Sequence, residues 1–176
     1  MENILNPEAL AIFGLFATVI CFGFEQLGIG VKGADTAKLQ RALGLIAILF
    51  GGAAQLFGSL WMFFMQQGNQ LVATVFGFFG FFWTLVGVFF LKGGDKKVMA
   101  HFFGACLVMT ILFTVEALSL GLVWPLAIDL IVIDILLLCL TISWYNGNVL
   151  LTRIAGACNV IIGIMSFFLL HPNVVS

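Results

Sequence analysis

The chain is 176 residues long, 62% hydrophobic and only 9% charged, with a mean hydropathy of +1.20. A soluble core of this size could not hide so much apolar surface, so the composition excludes a water-soluble globular domain and points to a membrane protein. The formal net charge of −1 offers no basic patch to displace counterions from phosphates, which excludes nucleic acid as a partner.

Six apolar stretches follow one another, each long enough for the ~20-residue crossing of a ~30 Å hydrocarbon core. The first is Pro7–Leu27; its flank, MENILNPE, has no Lys or Arg, unlike a cleaved signal peptide. The longest loop, GIGVKGADTAKLQ, leads to the second, Ala42–Met65, and the QQGNQ break to the third, Leu71–Leu91. That third span holds VFGFFGFFWTLVGVFF, the densest cluster among 20 phenylalanines. Val98–Val123, Pro125–Trp144 and Val149–Leu170 complete the set. Backbone groups in a bilayer must bond within helices, and the alternating strands of a barrel are missing, so the expectation is an all-α, polytopic membrane protein. It forms a single domain over residues 1–176 with six transmembrane helices per protomer, and its loops are too short for a soluble binding or catalytic domain.

All seven basic residues fall in or beside the odd-numbered loops: Lys32, Lys38 and Arg41, then Lys92, Lys96 and Lys97, then Arg153. The positive-inside rule therefore puts those loops in the cytoplasm and both termini outside. Cys21, Cys106, Cys139 and Cys158 stand singly inside spans with no CxxC pair, and His101 and His171 lie near opposite interfaces, so packing explains them better than a metal site. No Ser/His/Asp, Cys/His, HExxH or Walker pattern occurs. Neither enzyme activity nor a cofactor is expected.

Polar residues within spans carry more information. Gly51, Gln55 and Ser59 fall at i, i+4, i+8 on one face of the second span, beside the small pair Ala54 and Gly58; Ala155, Asn159 and Gly163 repeat the arrangement in the sixth. Close helix packing explains both faces, and so does a pore wall whose carboxamides replace water around a small solute. In the third span Phe79 or a neighbour is a candidate to face such a pore, because an apolar constriction resists hydrated ions. Four acids also sit in spans, and an intramembrane carboxyl is a functional hypothesis by default. Glu25 can reach the interface. Asp129 lies about one turn past Pro125, where a helix N-terminus favours negative charge. Asp134 falls ~13 Å beyond Pro125, close to mid-bilayer. Glu116 lies a similar distance before the turn joining spans four and five, so it would sit level with Asp129 or Asp134 and share a proton in a carboxyl pair. Arg153 is the one basic residue near enough to compete as a partner. Asp134, Glu116 and Asp129 are the candidate proton-titrating groups, with buried structural hydrogen bonding as the alternative role.

The segments NPEALAIFGLFATVICFG, FGGAAQLFGSLW and FGFFGFFWTLV, with RIAGACNVIIGI in the sixth span, together resemble the acetate uptake transporter family, which includes the bacterial succinate-acetate permeases. The Asn6-Pro7 pair and the Gly-Gly-x-x-Gln of the second span are its more specific marks. The resemblance implies a six-helix protomer in a homo-hexamer, with a path for acetate or similar small monocarboxylates in each protomer, and the short loops and lack of targeting elements fit a prokaryotic plasma membrane. The resemblance further implies a constriction at Leu15, Phe79 and Ile133, where the family carries Phe, Tyr and Leu. The chain departs from the family in having Glu8-Ala9 after Asn6-Pro7, and Gln66 and Gln67 where basic residues are common. The family is also drawn with cytoplasmic termini, opposite to the charge count.

An ionised Asp134 beside the constriction would repel a passing anion, so an acetate path here is expected to favour acid or to be proton-linked, with Asp134 titrating. Two other readings suit the residues. One is a channel for urea, a short amide or ammonia, which fits the acids and pore-facing amides. The other is a non-transporting scaffold, against which stand the buried Gln, Asn and Asp residues.

Overall fold

The computed structural model describes residues 7–65 and 69–175, with side chains described as far as Leu169. Asn6, Gln66 and Gln67 lie outside the described residues, as does the His171 side chain. Six helices are long and apolar enough to cross a membrane: α1 (Pro7–Leu27), α2 (Thr36–Met65), α3 (Gln70–Lys92), α4 (Lys96–Ser119), α5 (Val123–Asn146) and α6 (Val149–Val175). No strand is present among the described residues.

Helix ends differ from the hydropathy boundaries because polar caps, which hydropathy ignores, set them. Helix α2 begins at Thr36 rather than Ala42, where Asp35 accepts hydrogen bonds from the backbone N–H groups of Ala37 and Lys38. Asp95 does the same for Lys97 and Val98, so α4 begins at Lys96 rather than Val98. At its other end α4 stops at Ser119, short of the expected Val123, and Gly121 takes a left-handed turn at φ +73° before α5. Ala47–Ala54 of α2 is π-helical, a local widening frequent at functional sites, and α5 begins with a kink at Trp124, whose φ −109° and ψ 134° are non-helical.

Helix α1 packs on α6 and α2, α2 on α3, and α5 lies between α4 and α6. Small residues allow the closest approaches. Gly14 faces the Phe50 carbonyl oxygen, and the Ala54 methyl lies 2.8 Å from where a Cβ on Gly14 would stand. Gly51, Gln55 and Ser59 are all buried on the inner face of α2, as are Ala155, Asn159 and Gly163 on α6. By contrast α3 and α4, although consecutive, hardly approach each other at the backbone. Aromatic rings fill that gap: Phe82 stacks on Phe102 at 5.7 Å and meets Phe103 at 5.8 Å, and Phe78 meets Phe113 edge-on at 5.5 Å. The bundle exterior is apolar, with Phe64 82% and Phe81 66% exposed, as a lipid solvent permits.

The α1–α2 contact yields a stability prediction. In Gly14→Ala the added methyl meets the Phe50 carbonyl, and overpacking of this kind costs about 1–3 kcal/mol. Heating the purified protein in detergent and following its monodisperse fraction should show a lower midpoint than the parent. An unchanged midpoint would mean that α1 and α2 do not pack this closely.

Candidate functional site

Two cavities lie at the end of the bundle that carries the odd-numbered loops. The outer one, about 420 Å³, is a vestibule walled by Glu25 and Gln26 of α1, Gln40 of α2, Phe89 and Phe90 of α3, Lys96 of α4 and Ser143 and Trp144 of α5. The inner one is only about 20 Å³ and is walled chiefly by Phe22, Phe82, Trp83, Val86, Phe103, Leu136 and Leu140. Three side chains, Gln26, Phe90 and Trp144, line both, so they form the floor of one cavity and the roof of the other.

Helical periodicity carries this line deeper. Along α5, residues 143, 140, 136, 133 and 129 recur every three or four positions on one face, and all five are buried. Ser143 lies in the vestibule, Leu140 and Leu136 in the inner cavity, Ile133 beyond it, and Asp129 one turn further. Ser143 to Ile133 is about 15 Å at 1.5 Å per residue. Helix α1 matches this with Phe22 at the inner cavity and Leu15 two turns beyond, and α3 with Phe82 and then Phe79.

By register, Leu15, Phe79 and Ile133 therefore lie at a similar depth past the inner cavity. They are 5%, 4% and 4% exposed within one continuous apolar core, so the line is closed at their level. Phe79 is held edge-on between Phe78 at 5.3 Å and Phe82 at 5.9 Å.

The polar residues divide into structural ties and groups without partners. Ser59 is a tie, donating to the Ala73 carbonyl of α3 at 2.7 Å. Gln55 is fully buried, and neither its Oε1 nor its Nε2 has a partner. One turn before it, Gly51 leaves the space occupied by Trp83 and Thr18; one turn after it comes the Ser59–Ala73 bond. That register sets the Gln55 carboxamide at the level of Leu15 and Phe79. Asn159 donates through Nδ2 to Gln26 Oε1 at 2.9 Å, while its Oδ1 has no partner. Trp83, on the inner cavity, has a buried indole N–H that is also unpaired. Pro7 opens α1 and is buried, its carbonyl 2.6 Å from the site of a Cβ on Gly58.

The acids are separated. Asp134 projects about 100° round α5 from Ile133 and is half-buried, with its Oδ2 accepting from the Thr114 hydroxyl of α4 at 2.8 Å. Glu116, two residues past Thr114, falls on the far side of α4 and is exposed, so the expected carboxyl pair does not form: the partner that α4 presents to Asp134 is a hydroxyl. Asp129 is 3% exposed, in the first turn of the regular α-helix Ile128–Asn146, and its Oδ1 has no partner. Arg153 is exposed, and the ion pair found among the described residues is Lys38–Asp35 at 3.8 Å. Glu25 lies at the vestibule wall, and His101 packs on the Tyr145 ring at 5.8 Å. The four cysteines are free thiols, and no His, Cys, Asp and Glu cluster able to hold a metal forms among the described residues.

The residues that sequence reasoning passes over are Gln26, Trp83, Thr114 and Trp144. Gln26 reads as the polar end of a span, and Trp144 as an interfacial anchor. Only the folded neighbours, Asn159 for one and a cavity for the other, give them a place on the line.

The Asp134 tie can be tested as a pair. Thr114→Val removes the hydroxyl at nearly constant volume and leaves Asp134 Oδ2 without a donor, at a cost of about 1–3 kcal/mol. Adding Asp134→Leu should recover much of that loss in thermal unfolding, since no orphaned carboxyl then remains. Additive losses in the double variant would contradict the contact.

The sequence matches no family model. Among curated proteins it is similar to the meiotically up-regulated gene 86 protein of Schizosaccharomyces pombe, 30% identical over 169 residues that cover 88% of this chain and 53% of that protein. The chain thus spans about half the length of the curated relative it matches. Among solved structures it superposes on the bacterial acetate channel SatP with a TM-score of 0.79, covering 98% of this chain and 93% of that one at 23% identity. Six apolar helices in this arrangement give the chain the fold of the SatP acetate channel.

Proposed function

We propose that the chain is a divergent member of the acetate uptake transporter family, a multi-pass membrane channel or transporter that passes acetate or a similar small monocarboxylate within each protomer. One observation carries the reading: vestibule, aromatic cavity and apolar closure succeed each other along one face of α5, in a chain with the fold of an acetate channel. Leu15, Phe79 and Ile133 are the constriction of that path. Their apolar side chains would oppose hydrated ions, while a small solute passing them meets the free carboxamide of Gln55 at the same level. A homo-hexamer in a lipid bilayer follows from the family resemblance. The fission yeast relative widens the setting from the prokaryotic plasma membrane expected from the short loops to cell membranes generally. By the charge distribution, the vestibule faces the cytoplasm.

Of the three candidate acids, Asp129 fits the path, because it shares the α5 face with Ile133 whereas Asp134 is turned toward Thr114. An ionised Asp129 one turn past the constriction repels an entering anion, and this repulsion disappears when the carboxyl is protonated. Acid-favoured flux follows. A second reading, a path for urea or a short amide, draws on the same unpartnered carboxamides of Gln55 and Asn159.

Labelled acetate uptake into proteoliposomes, with and without an inward proton gradient and against protein-free liposomes, tests the proposal. Uptake above the control that rises with the gradient supports it; urea flux without acetate flux favours the second reading. The Asp129→Asn variant should weaken the dependence of flux on external pH, and Asp134→Asn should keep the parental profile. The reverse pattern would return the titrating role to Asp134.

A further inference from the structure

Gln26 and Asn159 lie 133 positions apart in sequence, and their carboxamides meet at the boundary between the two cavities. Two facing carboxamides can exchange two hydrogen bonds, each donating to the other's oxygen. This pair makes only one, Asn159 Nδ2 to Gln26 Oε1 at 2.9 Å, and Asn159 Oδ1 is left buried with no donor although the residue is 1% exposed. Gln26 Nε2 likewise meets no protein acceptor among the described residues. The junction thus holds the two N–H donors of Gln26 Nε2 and one buried carbonyl acceptor, Asn159 Oδ1. Gly156 makes this possible, since a Cβ there would stand 2.9 Å from the Gln26 Cβ and push the side chain off its seat.

We infer that the Gln26–Asn159 pair is a binding station for an uncharged head group that offers both a carbonyl and a hydrogen to donate, the neutral carboxylic acid of a small monocarboxylate; this rests on the proposed function. A free Gln26 N–H meets the acid's carbonyl oxygen, and the acid's O–H meets Asn159 Oδ1, so the buried acceptor gains the donor it lacks. A carboxylate anion has no hydrogen to give and leaves Asn159 Oδ1 facing a second oxygen. Charge points the same way. Glu25 and Lys96 of opposite sign line the vestibule, but no ionisable side chain lines the inner cavity, so an anion entering it would shed its water with no cation to replace it. The inner cavity has room for about one water-sized group, and Phe90 and Trp144, which line both cavities, offer their rings to the acid's methyl.

Acetamide, the uncharged isostere of acetic acid, is the probe. In proteoliposomes carrying the full chain, a large molar excess of acetamide should lower protein-dependent acetate uptake severalfold. In Gln26→Leu, whose correct assembly is checked by gel filtration, whatever uptake remains should become insensitive to acetamide. If propionate competes in the parent while acetamide does not, the station reads the anion and the inference falls. If the parent shows no acetate uptake at all, the monocarboxylate reading fails by itself, and osmotic swelling in acetamide decides the station. Swelling faster than protein-free liposomes and slowed by Gln26→Leu supports it; swelling equal to protein-free liposomes overturns it. Should Gln26→Leu fail to assemble, Gly156→Ala displaces the same side chain without removing a polar group and is expected to abolish acetamide competition in the same way.

Discussion

A polar group buried where water does not reach must find a partner inside the protein or remain a standing cost of order 1–3 kcal/mol. Most of this bundle obeys the requirement strictly. Thr18, Thr84, Thr141 and Ser166 each return their hydroxyl to a carbonyl one turn back, and Ser59 and Thr114 reach across to a neighbouring helix. The exceptions are Gln55, Trp83, Asp129, Asp134 and Asn159, each with a buried atom left unpaired. Trp83 and Asn159 line the inner cavity, Gln55 lies at the level of the closed end, and Asp129 lies one turn past it on the same face of α5. A scaffold that only packs would gain by replacing them with apolar residues of similar volume, and a path for a polar solute would not.

The same line explains the uneven packing of the helices. Helices α1, α2 and α6 approach through glycines and leave little space between backbones. Helices α3 and α4 stay apart, and phenylalanine and tryptophan rings occupy the interval. Flat rings meet through edges and faces where glycines bring backbones together, so the bundle has an aromatic side and a tightly packed side. Phe79, Phe82, Phe90 and Trp144 all stand on the aromatic side, while the carboxamides of Gln55 and Asn159 project from the tightly packed side.

Much of this is legible from residues alone. Six spans follow from hydropathy, because a bilayer demands a length and an apolarity that few other settings do. The inward faces of α2 and α6 follow from small residues and amides at four-residue spacing. The helix starts at Thr36 and Lys96 could have been found from Asp35 and Asp95, polar residues two and three positions before the donors they cap. What depth cannot supply is rotation. Depth alone puts Glu116 level with the α5 acids, but two residues separate it from Thr114, and that angle decides which side chain meets Asp134. Depth likewise favours Asp134 over Asp129 as the mid-membrane acid, whereas the face shared with Ile133 favours Asp129. Gln26 is hidden for a further reason, since its partner is a whole chain away.

On the proposed function, solute moves along the α5 face through a single protomer. Single cysteines placed in a background without Cys21, Cys106, Cys139 and Cys158 can be treated with a small water-soluble thiol reagent while acetate flux is measured. Block by the reagent at positions 143, 140 and 136, relieved by excess acetate, with no effect at the outward-facing Ile135 and Leu138, is the expected pattern. Equal block on both faces, or at 135 and 138 alone, would place the path outside this line and contradict the proposed route.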